Sequence, residues 1–149
     1  MKILILEDDR HLLDLLTRNM QMYGECYSTD NGADALRAFE EAMINNAPFD
    51  IALLDVMLPG MSGYEVLEYI RQMEAQWKKD GLRGAKIIMV TALNSSKNII
   101  QAFRENCEGY LTKPYTTEEL NTLLKGLGIV PQREYSSTYH NLNARSHSL

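Results

Sequence analysis

Four short stretches of this sequence end in polar groups that the apolar runs before them do not explain. Glu7, Asp8 and Asp9 follow the run Ile3-Leu4-Ile5-Leu6, and Asp55 follows Ile51-Ala52-Leu53-Leu54. Thr91 ends KIIMVT, and Lys113, before Pro114, follows GYLT. Two unit charges about 4 Å apart interact by about 4 kcal/mol at an effective dielectric of about 20. If Asp55 meets two of the leading acids, the three carboxylates repel by roughly 12 kcal/mol in that crude sum, against a fold stability of about 5–15 kcal/mol. Either carboxyl pKa values rise or a cation sits among them. Hard oxygen donors with open positions favour Mg²⁺, and the lack of histidine in the cluster argues against zinc. A carboxylate can act as a nucleophile toward phosphorus, a cation and a lysine can neutralise the transferring phosphoryl oxygens, and a hydroxyl such as that of Thr91 can bond one of them. On this chemistry Asp55 receives a phosphoryl group.

The elements that must position these groups are legible as an alternation. Ile3 to Leu6 reads as a strand buried on both faces. Asp9 to Met22 carries a helical stripe at Leu12, Leu13, Leu15, Leu16 and Met20, with Asp9 as N-cap and Gly24 as the stop. Glu25 to Thr29 reads as a strand, Asn31-Gly32 as a turn, and Ala33 to Ile44 as a helix. Asp50 to Asp55 is the third strand, and Gly63 to about Lys79 the third helix. Lys86 to Thr91 is the fourth strand, Ser95 to Asn106 the fourth helix, Gly109 to Thr112 the fifth strand, and Thr117 to Lys125 the last helix. Such alternation implies an α/β fold, a doubly wound parallel sheet with helices on both faces. In open sheets of this kind ligands bind beyond the carboxyl ends of the strands, where four of the five predicted strands deliver a polar group. The second strand delivers only Asp30, which an edge position would place away from the centre.

Singly, each residue has an ordinary explanation. Glu7 and Asp8 read as solvated loop acids, Asp9 as a helix cap, Thr91 as a β-branched strand residue and Lys113 as a surface charge. Those explanations must all hold at one end of one sheet, and there they are strained.

Composition narrows the class. With 149 residues, 45% hydrophobic and 23% charged, the chain suits one soluble domain with a single core. No apolar run reaches the ~18 residues of a membrane helix, and acids interrupt MKILILEDDR too early for a secretory signal. Cys26 and Cys107 lack metal-type spacing and read as reduced residues of a cytoplasmic protein. A net charge of −5 without a dense Lys/Arg stripe argues against direct nucleic-acid binding. Residues 128–149, rich in Ser, Asn, His and Tyr, read as a polar tail, flexible or loosely docked.

The segments ILILEDD, IALLDVMLPGMSGYEVL, IIMVTAL and GYLTKPY, in this order over residues 1–127, resemble the four signature segments of response-regulator receiver domains of two-component signalling. The resemblance implies a flavodoxin-like sheet of order 2-1-3-4-5 with five helices, and transfer of a phosphoryl group from a sensor kinase histidine, or a phosphotransfer protein, to Asp55. It implies Asp8 and Asp55 as direct Mg²⁺ ligands with the backbone carbonyl of Met57, Glu7 acting through bound water, and Thr91 and Lys113 as phosphoryl-oxygen binders. It also implies a cis Lys113-Pro114 bond, for which proline lowers the cost. Thr91 and Tyr110 would form a switch that shifts a two-state balance on the face of the predicted fourth helix, fifth strand and last helix, toward a downstream protein or a homodimer. A half-buried aromatic on an edge strand is the other reading of Tyr110, and the sequence leaves both open.

Two features depart from the family pattern. The third helix and the loop through Lys78 to Gly84 look long, and no effector domain follows residue 127, so the chain looks like a stand-alone receiver. A truncated multidomain protein would give the same sequence. Met57 and Leu93, two residues beyond Asp55 and Thr91, are apolar, which suggests slow self-dephosphorylation. The chain is then no enzyme toward other substrates. The alternatives are a Mg²⁺-dependent phosphohydrolase with an aspartyl intermediate, which usually needs an acid where Met57 stands, and a non-phosphorylated adaptor. A flavin-binding protein fits less well, because the loop after the first strand is acidic where a cofactor phosphate needs donors.

Overall fold

Alternating side chains of buried parallel strands must be covered on both faces, and the helices divide accordingly. In a computed structural model, which describes residues 1–77, 84–92 and 106–132, the elements are β1 (Lys2–Leu6), α1 (Arg10–Met20), β2 (Glu25–Thr29), α2 (Gly32–Ile44), β3 (Ile51–Asp55), α3 (Gly63–Gln76), β4 (Lys86–Thr91), β5 (Gly109–Thr112) and α4 (Thr117–Gly126). The sheet is wholly parallel, in the order β2-β1-β3-β4-β5. The predicted helix over Ser95 to Asn106, most of the long loop after α3, Leu93 and most of the predicted tail lie outside the described residues.

Leu4, Leu6, Ala52, Leu54, Ile87 and Met89 face α2 and α3, packing on Phe39, Val66, Leu67 and Ile70. Ile3, Ile5, Ile51, Leu53, Ile88 and Val90 face the other way, onto Leu16 and Met20 of α1 and Leu120 and Leu124 of α4. β3 is the middle strand and is buried along its whole length. Truncating one such leucine, Leu54→Ala, would cost about 2–5 kcal/mol.

Local chemistry sets the helix ends. Asp9 caps α1 by accepting from the backbone N–H groups of His11 and Leu12 at 3.0 and 3.2 Å. Ser62 with Glu65, and Thr116 with Glu119, form capping boxes at α3 and α4. α3 stops at Gln76, with Trp77 as its C-cap, a turn earlier than the periodicity predicts. Beyond α4 the chain turns at Gly128, whose φ of +78° only glycine adopts freely. The Ile129 N–H then returns to the Leu124 carbonyl at 2.9 Å, and the Ile129 side chain is buried in the α1/α4 core. Ile129 is the buried anchor of residues 128–132, Val130 being 39% exposed, and the Gln132 N–H donates to the Met22 carbonyl at 3.0 Å. Both cysteines are half-buried, and burial raises the Cys26 thiol pKa.

Candidate functional site

The carboxyl ends of β1, β3 and β4 lie side by side because β1 and β4 flank β3. Asp55 is the last residue of β3 and is 2% exposed. The loop after it is held by backbone pairing. Val56 donates to the Val90 carbonyl at 2.9 Å, and Gly63 donates to the Val56 carbonyl at 3.1 Å. A Cβ at Gly63 would lie 2.0 Å from the Asp55 carbonyl oxygen, so the first turn of α3 approaches the strand end in a way only glycine permits. The Met57 N–H donates to Asp55 Oδ1 at 3.2 Å, while the Met57 side chain is 69% exposed.

Glu7 is as deeply buried as Asp55. Its N–H donates to the Thr29 carbonyl at 3.1 Å, and its Oε1 accepts from the Asp9 N–H at 3.3 Å. Lys113 Nζ lies 2.7 Å from Glu7 Oε2 and 3.3 Å from Asp55 Oδ2. Asp8 is exposed, yet one oxygen from each of Glu7, Asp8 and Asp55 lies within 4.8 Å of the others. Thr91 is buried at the end of β4, and its carbonyl accepts the Lys113 N–H at 2.7 Å. The Lys113–Pro114 peptide is cis.

Both routes that relieve carboxylate repulsion are present. Burial first, and the Glu7 charge second, push the Asp55 carboxyl up from 3.8 to about 7, against the pull of Lys113 and the Met57 N–H. Lys113 is the internal cation. Burial disfavours its ammonium form, but the hydrogen bond to Glu7 and the charges of Asp55 and Glu7 outweigh this, and its pKa lies above the ordinary value. Asp8 faces water, so its share of the repulsion is screened and the three-carboxylate sum of roughly 12 kcal/mol overstates the cost.

The structure thus brings together Glu7, Asp8, Asp55, Thr91 and Lys113, and it keeps Asp9 as a cap and Asp30 at the sheet edge, 3.7 Å from Arg10. Glu7 bonds Lys113 directly. The oxygens available to an ion are hard carboxylate donors of the kind Mg²⁺ takes. Tyr110, on β5, is partly buried, and its hydroxyl lies 3.1 Å from that of Tyr64 on α3. Sequence reasoning missed Tyr64. It also missed Tyr115, whose phenol pKa is raised by burial first and then by the Glu7 charge. An aromatic residue directly after Lys113-Pro114 was the available signal for Tyr115; no signal within the sequence pairs Tyr64 with a residue 46 positions away.

Comparison with known proteins agrees with this geometry. Residues 3–125 match the response regulator receiver domain. The probable transcriptional regulator ycf29 of Porphyra purpurea is 32% identical over 127 residues, which is 84% of this chain and 55% of that protein. The transcriptional regulatory protein ResD of Bacillus subtilis is 30% identical over 142 residues, 95% of this chain and 52% of that protein. The chain therefore spans about half the length of these curated relatives. Among solved structures, the response regulator protein TrrA from Thermotoga maritima, in complex with Mg²⁺-BeF, is 28% identical with a TM-score of 0.65, covering 85% of this chain and 97% of that one. Among the described residues no helix is long and apolar enough to cross a membrane. With the family match running through all four strand ends that build the site, the chain belongs to the response regulator receiver domain family.

Proposed function

We propose that this chain is a phosphorylation-dependent switch in which Asp55 takes a phosphoryl group from a phosphohistidine of a sensor kinase or phosphotransfer protein. An Asp55 carboxylate oxygen forms the new P–O bond, the P–N bond to the donor imidazole breaks, and the imidazole keeps the electron pair and takes up a proton. The observation that carries this reading is the pairing of a buried Asp55 with Lys113 Nζ at 3.3 Å, inside a group of three carboxylates. That the TrrA relative forms a complex with Mg²⁺-BeF supports this cation for the present chain.

Glu7, Asp8 and Asp55, with the Met57 carbonyl, would hold Mg²⁺, and Glu7 would reach it through water. When bound, that ion supplies positive charge to the phosphoryl oxygens. Lys113 shares its charge between Glu7 and Asp55 and can follow a phosphoryl oxygen as negative charge arrives. The Thr91 hydroxyl bonds another oxygen. Because the Thr91 carbonyl and the Lys113 N–H are joined at 2.7 Å, movement at either end is passed to the β4–β5 pair, where Tyr110 stands beside Met89. Met57 has no proton to transfer, so the residue two beyond Asp55 provides no acid for a hydrolase cycle. Residues 1–127 form the receiver and residues 128–149 its polar appendage; the output partner is a protein that reads the face around β5 and α4, or a second copy of the chain. The protein works in the cytoplasm.

Labelling with acetyl phosphate tests the reading. Wild type should label only with Mg²⁺, and Asp55→Asn should not label. Equal labelling of Asp55→Asn, or labelling indifferent to Mg²⁺, would overturn it.

A further inference from the structure

The hydrogen bond between Tyr64 and Tyr110 joins two elements that the phosphorylation site must connect. Tyr64 is in the first turn of α3, directly after Gly63, the residue whose missing Cβ lets the helix lie against the Asp55 carbonyl. Tyr110 is on β5, in register with Met89 of β4. Both rings pack, partly buried, on the cluster that contains Val66, Leu67, Ile87 and Met89, and their hydroxyls are 3.1 Å apart. Either hydroxyl can donate to the other. A phenol that packs its ring on a core needs hydrogen-bonding for its oxygen, and here the two hydroxyls bond each other.

We propose that the Tyr64 hydroxyl is a latch that holds the Tyr110 side chain over the α2/α3 core before any phosphoryl group arrives. Tyr64 is then a positioning residue: it acts on Asp55 through Tyr110, and it touches no reacting atom. The proposal rests on the reading of Asp55 as phosphoacceptor and Tyr110 as the moving aromatic. If phosphorylation favours the inward ring, then by linkage anything that holds the ring inward favours phosphorylation. The latch couples the loop after Asp55 to β5 by a path separate from the Thr91–Lys113 backbone bond. One neutral hydrogen bond changes a two-state balance by about fivefold, and the reactive population changes by that factor where the competent state is the minor one.

The test uses the full chain with ¹³C-labelled tyrosine rings, the Tyr110 signals being assigned by their loss in Tyr110→Phe. In Tyr64→Phe, without phosphodonor or metal, the Tyr110 ring signals should move and average between environments. The rate of labelling by acetyl phosphate with Mg²⁺ should fall, by at most about fivefold, while Mg²⁺ affinity stays unchanged. The double variant Tyr64→Phe/Tyr110→Phe should be no slower than Tyr110→Phe, since both changes remove the same bond. Unmoved Tyr110 signals would overturn the latch. So would an unchanged rate, multiplied effects in the double variant, or a parallel loss of Mg²⁺ affinity. The ring signals decide the latch with no phosphodonor present, whereas labelling of wild type against Asp55→Asn decides the reading beneath it.

Discussion

Replacing Asp55 by asparagine should stabilise the metal-free protein, and the gain should depend on pH. Asp55 is 2% exposed and its carboxyl is held at about 7, against 3.8 for the free group. The folded chain therefore binds more protons than the unfolded chain between about pH 4 and pH 7. For a raised pKa the sign is fixed: stability is fully present below the unfolded value and is lost as pH rises through about 7. The slope reaches about 1.4 kcal/mol per pH unit, so the ionised carboxylate costs up to about 4 kcal/mol at pH 8. Asparagine keeps the shape and has no charge to lose. Lys113 keeps Glu7 at 2.7 Å, so the substitution leaves no ammonium unpaired. Urea unfolding in EDTA at pH 5, 6, 7 and 8 should show the variant's advantage growing toward pH 7 and levelling above it. Mg²⁺ at 100 times its Kd should return about 2.7 kcal/mol to the wild type alone. An advantage that is flat with pH, or one that Mg²⁺ leaves unchanged, refutes the reasoning.

Lys113→Met removes the cation between two buried carboxylates, and its destabilisation in EDTA should be roughly 3 kcal/mol at pH 8 by urea unfolding, smaller at pH 6 where Asp55 takes a proton. Gly63→Ala places a methyl 2.0 Å from the Asp55 carbonyl, so the loop after β3 must shift; melting should fall by several degrees and the acetyl phosphate labelling rate should fall with it. Met57→Asp puts an acid at the mouth of the site, and the half-life of the phosphorylated chain, followed by loss of label, should shorten at least severalfold. Ser62→Ala breaks one capping box and should cost about 1 kcal/mol in urea unfolding without changing the labelling pattern.

The strands and the cap of α1 were legible because their causes are local. Ile3 to Leu6, Ile51 to Leu54 and Ile87 to Val90 are apolar without a break, and only strands covered on both faces use such runs. Asp9 announces α1 by its position before a helical stripe, and its carboxylate does cap the helix. The end of α3 was less legible, since periodicity continues through Trp77 while the hydrogen-bonded helix closes at Gln76. The site acids could be named because parallel strands deliver their last residues to one end. What Glu7 touches could not be read, because Lys113 is 106 residues away and the direct 2.7 Å contact depends on tertiary placing. The same holds for Tyr64 and Tyr110, which lie 46 residues apart and whose hydroxyls meet only in the folded chain.

On the proposed phosphorylation of Asp55, these placements give so small a chemical event a route across the sheet. Lys113 is the cation shared by Glu7 and Asp55, and its contact with Glu7 is the shorter by 0.6 Å. A phosphoryl group on Asp55 would add negative charge and would move the balance of attraction away from Glu7. The lysine cannot respond alone, because its backbone N–H is tied to the Thr91 carbonyl at 2.7 Å and its strand is paired with β4 through Thr112 and Thr91. Glu7 in turn accepts from the Asp9 N–H at the start of α1, so the acid that shares the lysine with Asp55 sits at a second helix entrance. Glu7, Asp55 and Lys113 already share their charges, so one added charge would redistribute them, and each of the three is fastened to a different element of the fold.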